Sequence, residues 1–280
     1  MPLKQILRRA NAFDERAAHD ARRYLESLQA ELTRRLMANV GDKWGLQHFE
    51  SARREVYSLL AEIERKLSDD LKGVIEGAGE IGKELADDLL KDLRVDVFGL
   101  PKLTLGFVRE AANASATLVK GITDGIRQKI DLEIDRGIQG LQTGIQTIKN
   151  IASIRGFTAG AFKTAVDRAE FIFRTEASRI INMATIERYK EFSERSEEEM
   201  LKYWLATNDS RTRETHEQIW RETDPRVGGT PIAFQKDFKL NDGEKGFGPS
   251  APTFSAENVI NCRCRLIVLT KKKYLEMIGK

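Results

Sequence analysis

Residues 7–36 read LRRANAFDERAAHDARRYLESLQAELTRRL. Leu7, Ala10, Phe13, Ala17, Ala21, Tyr24, Leu25, Leu28, Leu32 and Leu36 recur mostly at steps of three and four, which lays them along one face of a helix. Charged residues of both signs fill the positions between, and no proline interrupts the run. The pattern predicts one long amphipathic helix, ended at Gly41 and Asp42. It commits the N-terminal part of the chain to an all-helical arrangement.

Working outward, a second stripe passes through Val56, Leu59, Leu60, Ile63 and Leu67. Beyond Ser68 it is expected to loosen, because Gly73, Gly77, Gly79 and Gly82 each weaken a helix by about 1 kcal/mol against alanine. Residues 98–106, FGLPKLTLG, read as a break and a hinge. The helical period returns with Ile122, Ile126, Ile130, Ile134, Ile138, Leu141, Ile145 and Ile148. Gly121, Gly125, Gly137, Gly140 and Gly144 fall in the same stretch, so a helix hairpin with glycines as turns or close-packing points is expected. Insertion of this stretch into a membrane is disfavoured by Lys129, Asp131, Glu133, Asp135 and Arg136, since buried charges are expensive there. A further helix is predicted from about 160 to 190, burying Phe162, Val166, Ala169, Phe173, Ala177, Ile180, Ile181 and Ala184.

Proline marks where the character changes. After Pro2 and Pro101, the other four (Pro225, Pro231, Pro249 and Pro252) crowd into one short region. Residues 193–200, SERSEEEM, read as an acidic connection; Tyr203–Thr207 as a short strand; and a helix capped by Asp209 or Ser210 as running through Trp220. Residues 224–256 are rich in Gly, Pro, Asp and Ser, and Cys264–Leu269 reads as a closing strand. The fold class is therefore mainly α: long N-terminal amphipathic helices and a helix hairpin, then a small α+β C-terminal domain with a long irregular loop. The corresponding blocks are a helical arm over 1–100, a helical region over 101–192, and the α+β domain over 193–280.

Bulk composition narrows the classes. The 280 residues hold 46 Lys and Arg against 43 Asp and Glu, a net charge of +3, with the signs interleaved. Such balance suits solvated helices better than a nucleic-acid clamp, which shows a local basic excess. Lys271, Lys272 and Lys273 form the one short basic cluster and read as a solvated tail. Two cysteines are too few for a disulfide framework, so folding in a reducing compartment is expected. MPLKQILRR has no uninterrupted apolar run of the secretory kind, and nothing approaches the roughly 20 apolar residues of a membrane span.

Both cysteines stand in AENVINCRCRLIVL, residues 256–269. Alternate residues of a strand face the same way, so Cys262 and Cys264 can converge on one ion with His216 as a third ligand and Asp209 as a fourth. Zinc accepts that mixed set, although a Cys-x-Cys spacing is narrower than the usual structural one. Two buried thiols, or one buried and one reactive, are the plain alternative; a disulfide between residues two apart is strained. His216 lies two turns after Asp209 and near Trp220, a position that favours a packed histidine over a catalytic one. Glu176 and Arg179 are three apart on a helix, as in an ordinary surface pair. No Ser-His-Asp order, P-loop or dinucleotide fingerprint is present, and with only His19, His48 and His216 a histidine-rich active site is excluded.

Four pieces occur in order: RTE with Arg179 and Asn182 following, WLATNDSRTRETH, GGTPIAF, and INCRC. That ordered set, over residues 125–270, resembles the phage Mu F-like head-morphogenesis (minor capsid) proteins of tailed bacteriophages and prophages. The resemblance assigns Arg174, Thr175, Glu176 and Asn182 to its helix motif. It assigns Trp204, Asp209, Arg211, Thr212, Arg213 and His216 to the central one, and Asn261, Cys262, Arg263 and Cys264 to the last. One departure is visible: EQIWRETDPR separates His216 from Gly228, where family members often place a glycine sooner.

The resemblance implies a minor structural protein inside the virion head, made in the host bacterial cytoplasm, associated with the portal vertex (oligomeric there) or inner capsid, and acting in procapsid assembly, DNA packaging or DNA ejection. Its implied partners are the portal protein, capsid or scaffold proteins, and packaged DNA. The alternatives are a DNA-binding head protein and a toxin-type enzyme, a nuclease or ADP-ribosyltransferase. For DNA, Arg211, Arg213, Arg263, Arg265, Lys271, Lys272 and Lys273 are the expected phosphate contacts. For an enzyme, the helical and Mu F-like parts leave little room for a separate catalytic domain, so no activity is expected.

Overall fold

A computed structural model describes residues 3–38, 44–92, 106–152, 161–194 and 198–279. The expected stop at Gly41–Asp42 and all but the last residue of the hinge at 98–106 lie outside them. The chain is mainly α. Its first helices are the long α1 (Leu3–Ala38), α2 (Leu46–Asp92) and α3 (Gly106–Ile138), the short α4 (Gly144–Ala152) and the long α5 (Ala161–Ser193). After them come β1 (Met200–Leu205), α6 (Glu214–Thr223), β2 (Ile232–Ala233), β3 (Phe238–Lys239), β4 (Lys245–Gly246), α7 (Ala256–Val259), β5 (Arg265–Thr270) and α8 (Lys271–Met277). Two compact units emerge, each assembled from separate stretches of chain.

One unit comprises Arg16–Gly73 and Glu110–Phe173. Its interior is the expected periodicity made real. Leu25, Leu32 and Leu36 of α1, Val56, Leu60, Ile63 and Leu67 of α2, and Ile122, Ile126, Ile130 and Ile134 of α3 are all buried. Helices with a single apolar face gain most of their stability from burying that face, at about 25 cal/mol per Å². Polar contacts decorate its rim: Arg22 pairs with Glu170 at 2.8 Å, Arg35 with Glu55 at 3.3 Å, and the Tyr57 hydroxyl donates to Asp131 at 2.8 Å. The hairpin between α3 and α4 turns at Gly140, whose φ of 73° suits glycine. Around that turn the stripe is interrupted, with Leu141 and Ile145 exposed, and it resumes in α4 with Ile148 and Ile151 buried.

The other unit comprises Met1–Glu15, Val74–Arg109 and Arg174–Lys280. Here α2 overturns an expectation: it continues unbroken through Gly73, Gly77, Gly79 and Gly82. Close packing explains at least one of them. A Cβ added to Gly82 would lie 2.8 Å from the Ala184 Cβ of α5. The Thr185 hydroxyl meanwhile donates to the Gly82 carbonyl at 3.0 Å. The flanking Ile75, Ala78, Leu85, Ala86 and Leu90 are buried, so packing outweighs the local propensity penalty.

A three-stranded antiparallel sheet of order β2-β1-β5 forms the α+β part, with Leu201 opposite both Leu269 and Ala233. The strands differ slightly from expectation. β1 begins three residues before Tyr203, and β5 begins after Cys264 instead of on it. The supposed irregular loop contains a second, two-stranded ladder, β3 against β4, closed by a tight turn with Gly243 at φ 92°. Lys202 is buried in β1, donating to the Phe247 carbonyl at 2.7 Å with its ammonium 3.2 Å from that ring's centroid. Burial pushes this ammonium down to about 7. The three lysines expected to form a solvated tail instead open α8, where the Thr270 hydroxyl caps the helix by accepting the Lys273 N–H.

Candidate functional site

The Ser255–Arg265 segment is built around one tight reversal. The short helix α7 ends in a turn in which Ile260 N–H donates to the Ala256 carbonyl and Cys262 N–H to that of Val259. Asn261 then takes a left-handed φ of 60°, a conformation asparagine tolerates better than most residues. The reversal, not strand alternation, therefore places both cysteines on one side ahead of β5.

Opposite them stands His216 on α6. Its Nδ1 lies 3.7 Å from Cys262 Sγ and 3.6 Å from Cys264 Sγ. The three residues are buried, at 1%, 2% and 3% exposure. The Trp204 ring packs against the imidazole, with centroids 5.0 Å apart, and Phe238 meets that indole edge-on at 5.5 Å. Hydrogen bonding from Cys264, then His216, pulls Cys262 well below the ordinary thiol value. Hydrogen bonding to Cys262, together with burial, pushes Cys264 well above it.

Asp209, the expected fourth ligand, does not join this group. Its carboxylate accepts from Arg263 Nη2 at 2.7 Å and from the Arg211 N–H at 3.0 Å, and the Arg263 hydrogen bond holds it down at about 2. Nor does it cap α6. That helix starts at Glu214 behind Arg213, which offers no side-chain cap and instead donates to the Ile260 carbonyl. Thr212 closes the turn on Asp209, its N–H donating to the Asp209 carbonyl at 2.9 Å.

The α5 motif residues reach the same segment. Arg174 Nη1 donates to Asn261 Oδ1 at 2.8 Å and Arg174 Nη2 to Glu15 at 2.9 Å, while the Thr175 hydroxyl accepts the Asn261 N–H at 2.8 Å. Asn182, buried, donates to the Cys264 carbonyl at 3.0 Å. Glu176 stays local, accepting from Arg179 Nε at 3.1 Å. The expected phosphate contacts separate. Arg265 is buried, its guanidinium paired with Asp14 and donating to Asn11 at 3.2 Å, which removes it from any DNA-facing surface. Arg263 is committed to Asp209. Arg211 and the three lysines are exposed, with Lys271 paired to Glu199 at 2.7 Å and Lys273 to Glu276 at 3.1 Å.

Sequence reasoning missed Asp14, Glu15 and Asn258. Asp14 carried a signal: it falls four residues from both Ala10 and Ala18 on the buried face of α1. Burial pushes its carboxyl up, and the Arg265 guanidinium opposes this. Asn258 is buried and bridges the segment to the β3–β4 turn, donating to Asp242 at 2.7 Å and to Glu244 at 3.1 Å. Nothing in its local sequence announces this.

This fold and site define a helical protein whose α+β end is fastened by a helix motif, a DSRTRETH turn and an INCRC reversal. The family model described as phage Mu protein F like protein matches residues 126–267, just over half of the chain, and the chain belongs to that family. Membership places it among phage head-morphogenesis proteins. No curated protein and no solved structure gives a match. Among the described residues, no helix is long and apolar enough to cross a membrane.

Proposed function

We propose that the protein is a minor structural component of a tailed-phage head, non-enzymatic, which docks at the portal vertex or inner capsid during procapsid assembly. In this reading it is made in the bacterial cytoplasm, joins the portal in several copies and remains inside the virion. Portal and capsid or scaffold proteins are its partners. Family membership supports the setting. The observation that carries the reading is how the motif side chains are used. Arg174, Thr175, Asn182, Asp209 and Arg263 bond to one another's segments, so these motif side chains are spent on internal contacts. Groups arranged that way hold a domain in shape; they do not act on a substrate.

Co-expression with the portal protein of the same phage tests this. With the tag on the portal, this chain should co-elute at a fixed ratio, and it should be found in purified virions. A chain that elutes free of portal and is absent from virions would overturn the reading. DNA enters as a separate outcome: affinity falling steeply with salt would mark phosphate contacts by Arg211 and Lys271–Lys273.

A further inference from the structure

We propose that His216 Nδ1, Cys262 Sγ and Cys264 Sγ bind one zinc ion that locks the INCRC reversal to α6. The donor set comes from separate backbone elements, a helix and a turn, yet all three ligand atoms lie within 4.8 Å of one another. A tetrahedral ion with Zn–S about 2.3 Å and Zn–N about 2.0–2.1 Å sets S···N at about 3.5 Å. The observed separations of 3.6 and 3.7 Å match that spacing with little movement. Two thiolates and an imidazole suit zinc over the hard, oxygen-seeking cations.

Charge supports the same assignment. Both cysteines are followed by arginine, which at first sight could neutralise buried thiolates. Each guanidinium is already paired with a carboxylate, Arg263 with Asp209 and Arg265 with Asp14. A divalent cation between two thiolates and a neutral imidazole gives a site of zero net charge, the cheapest state to bury. Zinc binds the thiolate forms, so protons compete with the ion for both sulfurs and occupancy weakens as pH falls. Among the described residues no further His, Cys, Asp or Glu joins the group. The burial of all three ligands makes the site a fastener and not a hydrolytic centre.

The test is metal analysis of untagged protein purified without chelators, beside Cys262→Ser, Cys264→Ser and His216→Gln. About one zinc per chain is expected in the wild type and under about a tenth in each variant. Because a variant can fail to fold, the wild type is also stripped and reloaded with Co²⁺. Two thiolate ligands then give near-ultraviolet thiolate-to-cobalt absorption and intense tetrahedral visible bands, with unchanged far-ultraviolet circular dichroism. Folded wild type with under about a tenth of an equivalent of zinc and no cobalt–thiolate absorption would overturn the proposal. So would folded variants that retain the full zinc content.

Discussion

The two compact units solve the same problem by different means. In the unit built from Arg16–Gly73 and Glu110–Phe173, stability comes from many interchangeable apolar contacts along helix stripes, with ion pairs at the rim. In the other unit, individual polar groups are taken out of water and matched one to one: Arg265 with Asp14, Asn182 with the Cys264 carbonyl, Arg174 with Asn261. The first kind of order is redundant. The second is specific, because a buried polar group that loses its partner bears its whole desolvation penalty.

Substitutions can break or sharpen that contrast. Arg265→Ala strands the Asp14 carboxylate in a buried site and should destabilise by about 3–5 kcal/mol in denaturant unfolding. Gly82→Ala drives a Cβ against Ala184 and the Ile181 backbone, and a loss of about 1–3 kcal/mol in the same assay is expected. In the stripe-built unit, Ile126→Val removes one methyl from a redundant interior and should cost about 0.5–1.5 kcal/mol. Asp209→Asn should have the smallest effect, under about 1 kcal/mol, because the Asp209 side chain is 36% exposed and its pair with Arg263 is screened. The sign with pH follows from its lowered value. The stabilisation is present above the unfolded carboxylate range near 4 and fades as pH falls through about 2. Acid titration of wild type against Asp209→Asn should show that difference shrinking, not growing.

The contrast also explains what the sequence made legible. The Leu, Ala and Ile stripes of α1, α2 and α3 could be read directly, because a period of 3.6 is written in consecutive residues. The unbroken course of α2 past Gly82 was not legible, since it depends on α5 being there to receive a bare backbone. The ladder of β3 and β4 was hidden because two-residue strands have no period. At the candidate site, His216, Cys262 and Cys264 were named from ligand chemistry, and the structure brings them together. Spacing does not show that Arg263 claims the Asp209 carboxylate, which the structure sets apart from the three. Asp14 lay in plain sight on a helix face, but its partner Arg265 is 251 residues away.

A double-mutant cycle on Asp14 and Arg265 tests most directly whether specific polar matching holds this unit together. Asp14→Leu, Arg265→Met and the double variant are compared with wild type by denaturant unfolding. Each single substitution is expected to cost about 3–5 kcal/mol. The double should cost far less than their sum, a coupling of about 2–3 kcal/mol. Single effects that add to within about 0.5 kcal/mol would contradict the account.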